Sequence, residues 1–171
     1  MHTENRRFIL GIDPGSIKTG YAVIELKNKT QFVYRECGII SASTKLPLEK
    51  RLLEIGSEIE EIIQEYPITE AAVENIFSAF NVKSALVLGQ ARGMILYIIS
   101  RAGIPVFSYA PNKIKKYITG RGKAAKEQVR QSVTLLSGLS SPPAEDASDA
   151  LAVAICHSMH KNPLGTQIKE T

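Results

Sequence analysis

An apolar run that ends in a turn gives the clearest indication of the fold: Phe8-Ile9-Leu10-Gly11-Ile12-Asp13-Pro14-Gly15. Its apolar run is typical of a buried strand, and Asp-Pro-Gly is a turn signature that ends the run. Apolar character resumes from Thr19 to Leu26, and after a polar loop over 27–30 a third β-compatible run extends from Gln31 to Ile40. Short polar connections between consecutive strands favour antiparallel pairing. The first forty residues therefore predict a three-stranded antiparallel meander.

Helices and strands alternate in the rest of the chain. Apolar residues recur at steps of three and four between Leu48 and Tyr66, which predicts an amphipathic helix. A short strand ending at Glu74 follows. The next predicted segments are a helix at 82–102, a strand at 105–109 and helices at 112–118, 126–136 and 146–160. Because the later crossovers are long enough for parallel pairing, we expect an α/β fold with a mixed five-stranded sheet and helices on both faces.

Length and composition are those of one globular domain. The chain has 171 residues, 44% of them hydrophobic and 22% charged. We expect a short flexible extension at 1–6 and a flexible tail at 161–171. The longest uninterrupted apolar runs fall short of the roughly 20 residues that cross a bilayer, so we predict no membrane association and a cytoplasmic location.

Cysteine content and charge narrow the function classes further. The two cysteines, Cys37 and Cys156, are too few for a disulfide framework and lack the spacing of a zinc site. A formal net charge of +4 permits a nucleic-acid partner without requiring one.

Four acidic residues stand where a catalytic site could form. Asp13 and Glu74 each end an apolar strand, and Asp146 and Asp149 lie in the first turn of the last helix, three residues apart. Strand ends are where functional groups gather in α/β sheets, and residues three apart share a helix face. Clustered carboxylates repel one another unless a cation neutralises them. We therefore predict a site for Mg²⁺, which Mn²⁺ can replace, with two ions about 3.5–4 Å apart.

Each acid also has an ordinary interpretation. Asp13 can serve only the turn, Glu74 can begin a solvated loop, and Asp146 with Asp149 can cap a helix N-terminus. Only the combination of the four favours catalysis.

A basic segment lies between residues 111 and 131. It holds one acid, Glu127, and seven basic residues: Lys113, Lys115, Lys116, Arg121, Lys123, Lys126 and Arg130. Such a cluster beside an acidic site would attract phosphates that carboxylates repel. A solvated basic face is the alternative. A nucleotide-binding P-loop is excluded because Gly122-Lys123-Ala124 lacks the earlier glycine and the Ser/Thr after the lysine.

Five motifs, in order, resemble the RuvC family of Holliday junction resolvases. They are Leu10-Gly11-Ile12-Asp13-Pro14-Gly15 continued by Thr19-Gly20-Tyr21, Glu74-Asn75-Ile76-Phe77 with Asn81, Leu88-Gly89-Gln90-Ala91-Arg92-Gly93, the segment from Gly120 to Val129, and Asp146-Ala147-Ser148-Asp149-Ala150-Leu151-Ala152. The resemblance runs over nearly the whole chain. It implies a ribonuclease-H-like fold, metal ions at the four acids, and paired nicks in a four-way DNA junction that leave 5′-phosphate and 3′-hydroxyl ends.

The same resemblance implies roles for further residues and partners. Lys115 and Lys126 correspond to lysines near the scissile phosphate, and Phe77 to an aromatic residue that packs against bases. We also predict DNA contacts from Arg92 and from five basic residues of the segment, Lys113, Lys116, Arg121, Lys123 and Arg130. The family further implies a homodimer, for which the helix over 89–99 offers a surface, a RuvA–RuvB motor partner and a target containing TT.

Two other functions compete with this prediction. The Gly-Ile-Asp-Pro-Gly-Ser turn also resembles the phosphate loop of actin-like ATPases and sugar kinases, although those proteins need two such domains. A non-enzymatic junction-binding module would bind four-way DNA with or without metal and leave its strands intact.

Overall fold

The computed structural model describes residues 6–28, 31–76 and 81–160. The strands within these ranges are β1 (Arg7–Asp13), β2 (Lys18–Leu26), β3 (Phe32–Ser41), β4 (Ile68–Glu74) and β5 (Val106–Tyr109). The helices are α1 (Leu48–Glu65), α2 (Val82–Arg101), α3 (Pro111–Thr119), α4 (Lys126–Leu136) and α5 (Glu145–Ser158). Each predicted element is present, with its ends shifted by a few residues. Residues 1–5 of the predicted flexible extension at 1–6 lie outside the described residues, as does the predicted tail at 161–171, so both stay predictions.

The strands form one mixed sheet in the order β3-β2-β1-β4-β5. β1 pairs antiparallel with β2, and β2 pairs antiparallel with β3, so the predicted meander is confirmed. β4 pairs parallel with both β1 and β5. Because parallel neighbours point the same way, the carboxyl ends of β1, β4 and β5 lie along the same edge of the sheet.

Helices cover both faces of this sheet, as predicted. On one face, α1 and α2 pack Ile55, Ile59, Ile95 and Ile99 against strand residues such as Leu10. On the other face, the buried α5 packs against the sheet, with α3 and α4 beside it. Strand residues alternate between the two cores, so each strand position has a defined side.

Helix α5 lies unusually close to the sheet because two glycines face it. A Cβ added at Gly11 would stand 2.3 Å from the carbonyl oxygen of Ala150, and one added at Gly20 would stand 1.9 Å from that of Asp146. Any larger side chain at either position would push the helix away. Gly20 is also the cross-strand partner of Asp13, so this contact brings the first turn of α5 directly above the end of β1.

Within the described residues, α2 is long and apolar enough to cross a membrane by length and composition alone. The sequence analysis did not single it out. The helix belongs to the domain, because Ala91, Ile95 and Ile99 are buried and Arg92 is hydrogen-bonded to strand ends. Val82, Leu86 and Tyr97 on the same helix are exposed, whereas Met94, Leu96 and Ile98 are partly buried against the core.

Candidate active site

Asp13 and Glu74 are neighbours at the shared edge of the sheet. Ile12 and Val73, the residues before them, are paired in the parallel ladder. Asp13 lies on the same face as Ile9, and Glu74 on the same face as Ala72, so both carboxyl groups face α5. The two groups interact with each other through charge and a side-chain hydrogen bond. The predicted convergence of these two acids therefore occurs.

Helix α5 contributes the other two acids from its first turns. Asp149 lines the same cavity as Asp13 and Glu74, and the charge of Asp146 acts on both Asp13 and Asp149. The N-cap of α5 is Ala144, and the cap has no side-chain hydrogen bond. Helix capping by Asp146 and Asp149 is therefore the wrong interpretation of this pair, although Asp146 in the first turn still interacts favourably with the helix dipole.

The acids open into a cavity of about 240 Å³ between the sheet edge and helices α3, α4 and α5. Its lining combines carboxylates, lysines and apolar side chains: Asp13, Glu74, Asp149, Lys115, Lys126, Pro111, Ile114, Val129 and Ala152. A site of this size that presents both charge signs suits a phosphate accompanied by cations.

The pKa values of Asp13, Glu74 and Asp149 are raised by burial first and by the crowding of like charge second. Burial and then the charges of Glu74 and Asp149 hold the pKa of Asp13 well above its usual range. Burial also raises the pKa of Glu74, with a further rise from Asp149, while Asp13, Lys126 and Lys115 oppose the shift. The pKa of Asp149 is raised chiefly by burial, against the opposing effect of Lys126. The lysines thus compensate only part of the repulsion, and a bound cation would relieve the rest.

The donor chemistry of the cluster fits a hard divalent cation. All four side chains offer carboxylate oxygens, which Mg²⁺ and Mn²⁺ prefer. Among residues 6–28, 31–76 and 81–160, however, no three Asp, Glu, His or Cys side chains already form a metal-ligand cluster. The carboxylates are gathered within electrostatic reach of one another. The predicted metal remains a prediction.

Lys126 has a partner that the sequence analysis missed. Its Nζ lies 2.5 Å from Oε1 of Glu145, and this bond is the main cause that raises the pKa of the lysine. Asp149 and Asp13 act on Lys126 in the same direction. Glu145 directly precedes Asp146, so the acidic pair at the start of α5 was the available signal. Lys126 therefore lies between an exposed carboxylate and the buried cluster.

The other basic residues occupy three kinds of position. Lys116, Arg121 and Lys123 are exposed on α3 and the following loop. Lys113 lies over the ring of Tyr109, 5.3 Å from its centroid. Arg130 donates to the carbonyl oxygen of Pro143 at 2.9 Å, and Arg92 likewise hydrogen-bonds within the domain.

These locations do not test the predicted DNA contacts, which stay predictions. Phe77, the predicted base-packing residue, lies outside the described residues. Sequence reasoning also missed the role of Gly11 and Gly20 in seating α5, although both glycines lie within the quoted motifs.

Comparison with known proteins identifies what this arrangement is similar to. The family model for crossover junction endodeoxyribonuclease RuvC matches residues 9–157. The enzyme of that name from Azorhizobium caulinodans is 41% identical over 91% of this chain and 91% of its own. The one from Geotalea uraniireducens is 47% identical over 88% of this chain and 87% of its own. The Thermus thermophilus RuvC, solved in complex with a Holliday junction substrate, superposes with a TM-score of 0.84 at 30% identity, covering 90% of this chain and 93% of that one.

Proposed function

This chain belongs to the RuvC family of crossover junction endodeoxyribonucleases, and we propose that it resolves four-way DNA junctions with the carboxylates at the ends of β1 and β4 and the start of α5. The observation that carries the proposal is the shared cavity in which three of these acids face two lysines. Asp13, Glu74 and Asp149 have raised pKa values, and Lys115 and Lys126 oppose the rise at Glu74 and Asp149 only in part, so the arrangement benefits catalysis and not stability.

Asp13, Glu74, Asp146 and Asp149 would hold magnesium, with manganese as a substitute. Bound there, two such ions would supply Lewis-acid chemistry to the phosphodiester. The fold positions the carboxylates for the substrate. The adjacent ends of β1 and β4 place Asp13 and Glu74, and the close approach of α5 to the sheet places Asp146 and Asp149. The buried apolar residues Ile114 and Val129 exclude water from one wall of the cavity, which strengthens each charge interaction inside it.

Lys115 and Lys126 are proposed to stabilise the negative charge that builds on the scissile phosphate. Both line the cavity, and both act electrostatically on Glu74 and Asp149. A fixed ammonium at this place interacts most strongly with the transition state, where charge is greatest. The exposed Lys116, Arg121 and Lys123 continue this positive surface and are suited to phosphates farther along the DNA strand.

We further propose a homodimer through α2, since a two-fold dimer would present two identical sites to a junction of matching symmetry. Support comes from a continuous stripe of exposed apolar or small residues on this helix: Val82, Leu86, Gly89, Gly93 and Tyr97. A Cβ added at Gly89 or Gly93 meets nothing within 4 Å, so a second helix could approach closely there. Gly93→Leu should shift the mass measured by light scattering toward the monomer and convert paired nicks into single nicks.

Two further expectations rest on the family resemblance: a RuvA–RuvB motor partner and a preference for sites containing TT. We also expect a cytoplasmic location with no membrane association. The two competing functions, an actin-like ATPase fragment and a junction-binding module without activity, find no support in the comparisons, which match nuclease relatives over about nine tenths of the chain.

The direct test is cleavage of an end-labelled synthetic four-way junction containing TT steps, with magnesium or EDTA and with linear duplex as the control. We expect paired nicks that require magnesium and spare the duplex. Asp146→Asn should bind the junction but not cut it. Binding without cutting by the wild-type protein, in magnesium and in manganese alike, would contradict the nuclease proposal and favour the binding module.

A further inference from the structure

Arg92 connects helix α2 to two strand ends. Its Nη2 donates to Oδ1 of Asn75 and to Oγ of Ser108, both at 2.7 Å, and its Nε donates to the carbonyl oxygen of Glu74 at 3.3 Å. Glu74 and Asn75 lie at the end of β4, and Ser108 lies near the end of β5. One half-buried guanidinium thus links three groups at the edge of the sheet that carries the acids.

The guanidinium approaches β4 from the side opposite the acid cavity. The Glu74 carboxyl faces α5, whereas Ser108 is paired with Val73, whose side chain belongs to the core under α1 and α2. Arg92 does not line the acid cavity. Its contact with Glu74 is made through the main chain alone.

We propose that Arg92 is a positioning residue that fixes the end of β4, and thereby the direction in which the Glu74 carboxylate enters the cavity. The inference rests on the proposed nuclease function. A planar guanidinium with several donors defines the location of its acceptors more strictly than an ammonium does. Catalytic groups need such support, because a displacement of about 1 Å can cost roughly a hundredfold in rate.

The competing role for Arg92 is the DNA contact predicted from its sequence motif. The two roles differ in what they change. A phosphate contact contributes to junction affinity and to its salt dependence, whereas a positioning residue contributes to the rate once the junction is bound. The internal hydrogen bonds engage Nε and both protons of Nη2, three of the five guanidinium donors, and hold the side chain against the strand ends, which favours positioning.

The test separates binding from cleavage in Arg92→Lys and Arg92→Gln. Junction affinity is measured by fluorescence anisotropy in EDTA, and cleavage is measured as a single-turnover rate at saturating enzyme with magnesium. We expect the rate to fall about 10- to 100-fold in Arg92→Gln, while the Kd for the junction stays within about twofold. Arg92→Lys should recover only part of the rate, because an ammonium cannot reproduce the fork.

Two milder variants test the same network. Asn75→Ala and Ser108→Ala each remove one acceptor, so each should lower the saturating rate by less than Arg92→Gln. Ser108→Ala added to Arg92→Gln should cause little further loss, because the two side chains act in one network. Arg101→Gln is the matched control on the same helix, because the Arg101 side chain is 68% exposed and its ion pair with Glu60 is long, at 4.0 Å. It should leave both rate and affinity unchanged.

The possible outcomes distinguish this inference from the function on which it rests. A weaker Kd with an unchanged saturating rate in Arg92→Gln would overturn positioning and establish a DNA contact. An unchanged rate in all variants, beside a wild-type protein that cuts, would overturn positioning alone. A wild-type protein that does not cut would overturn the proposed function and this inference with it.

Discussion

Glu70 and Glu74 lie four residues apart on β4, on the same face of the strand, and both face α5. Their surroundings differ at every point. Glu70 accepts two hydrogen bonds from Arg7, at 2.8 and 2.7 Å, and lies 2.7 Å from Nε2 of His157. Tyr109 completes this end, since its hydroxyl is 2.6 Å from Nδ1 of the same histidine. The two ring nitrogens of His157 thus each have a polar partner, Tyr109 on one side and Glu70 on the other.

The pKa values show the consequence of this difference. Burial acts to raise the pKa of Glu70, but His157 and Arg7 outweigh it, and the pKa is lowered. At Glu74 burial raises the pKa and Asp149 adds to the rise. The charged form of Glu70 therefore stabilises the fold, whereas ionised Glu74 is held against an unfavourable field. At one end of β4 and α5, Glu70 is paired with Arg7 and His157 and supports the fold. At the other end, the like charges of Glu74 and Asp149 lie close together and suit catalysis.

Replacing each of the two glutamates by glutamine should affect the cleavage rate very differently at the two positions. Glu74→Gln should lower the single-turnover cleavage rate about a thousandfold, the upper range for losing one electrostatic contact in an active site. Glu70→Gln should leave the rate within about threefold at a temperature where the variant is folded. End-labelled junction cleavage measures both. Equal losses in the two variants would show that the ends are not functionally distinct.

Stability should respond in the opposite sense. Glu70→Gln removes a charge-assisted pair with Arg7 and should lower the Tm by about 4–8 °C. Glu74→Gln removes no such pair and should leave the Tm in EDTA unchanged or higher. Thermal unfolding followed by circular dichroism checks both values. A larger loss of Tm in Glu74→Gln than in Glu70→Gln would refute the assignment of a structural end.

The stability effect of Asp13 should depend on pH. Because its pKa is raised in the folded state to about 8, the group has no effect on stability below its unfolded pKa, and its cost grows as pH rises from the unfolded pKa to the folded one. Asp13→Asn in EDTA should therefore raise the Tm by about 2–4 °C at pH 8 and have almost no effect near pH 4. A Tm gain of the same size at both pH values would contradict the electrostatic explanation.

The smallest expected effect concerns Glu145, which pairs with Lys126 at the mouth of the cavity. Glu145→Gln removes an exposed negative charge and releases the lysine toward the DNA. Junction affinity in EDTA should increase about two- to threefold at low salt and lose this gain at high salt. Glu54→Gln, an exposed acid on α1, is the control. An effect independent of salt concentration would argue against a role through charge.

Much of this architecture was predictable because it depends on local pattern. The apolar run before Asp13 and the turn after it define β1, and regular apolar spacing defines α1. The four acids could be selected because strand ends and a first helical turn place them independently of distant contacts. The internal partners of Arg92 and Lys126 were not predicted, because Ser108 and Glu145 lie 16 and 19 residues away from them in sequence. Likewise, the sequence shows a glycine at position 20, but it does not show that helix α5 packs against this glycine.

The central proposal is that a divalent cation binds at the end of β4 beside Glu74, where Lys115 and Lys126 compensate only part of the charge of the acids. Thermal unfolding with and without millimolar magnesium, in the wild-type protein, Glu74→Gln and Glu70→Gln, tests it most directly, since a ligand that binds only the folded state raises the Tm. We expect magnesium to raise the Tm of the wild-type protein and of Glu70→Gln but not that of Glu74→Gln. An equal magnesium shift in all three proteins, or no shift in any of them, would contradict it.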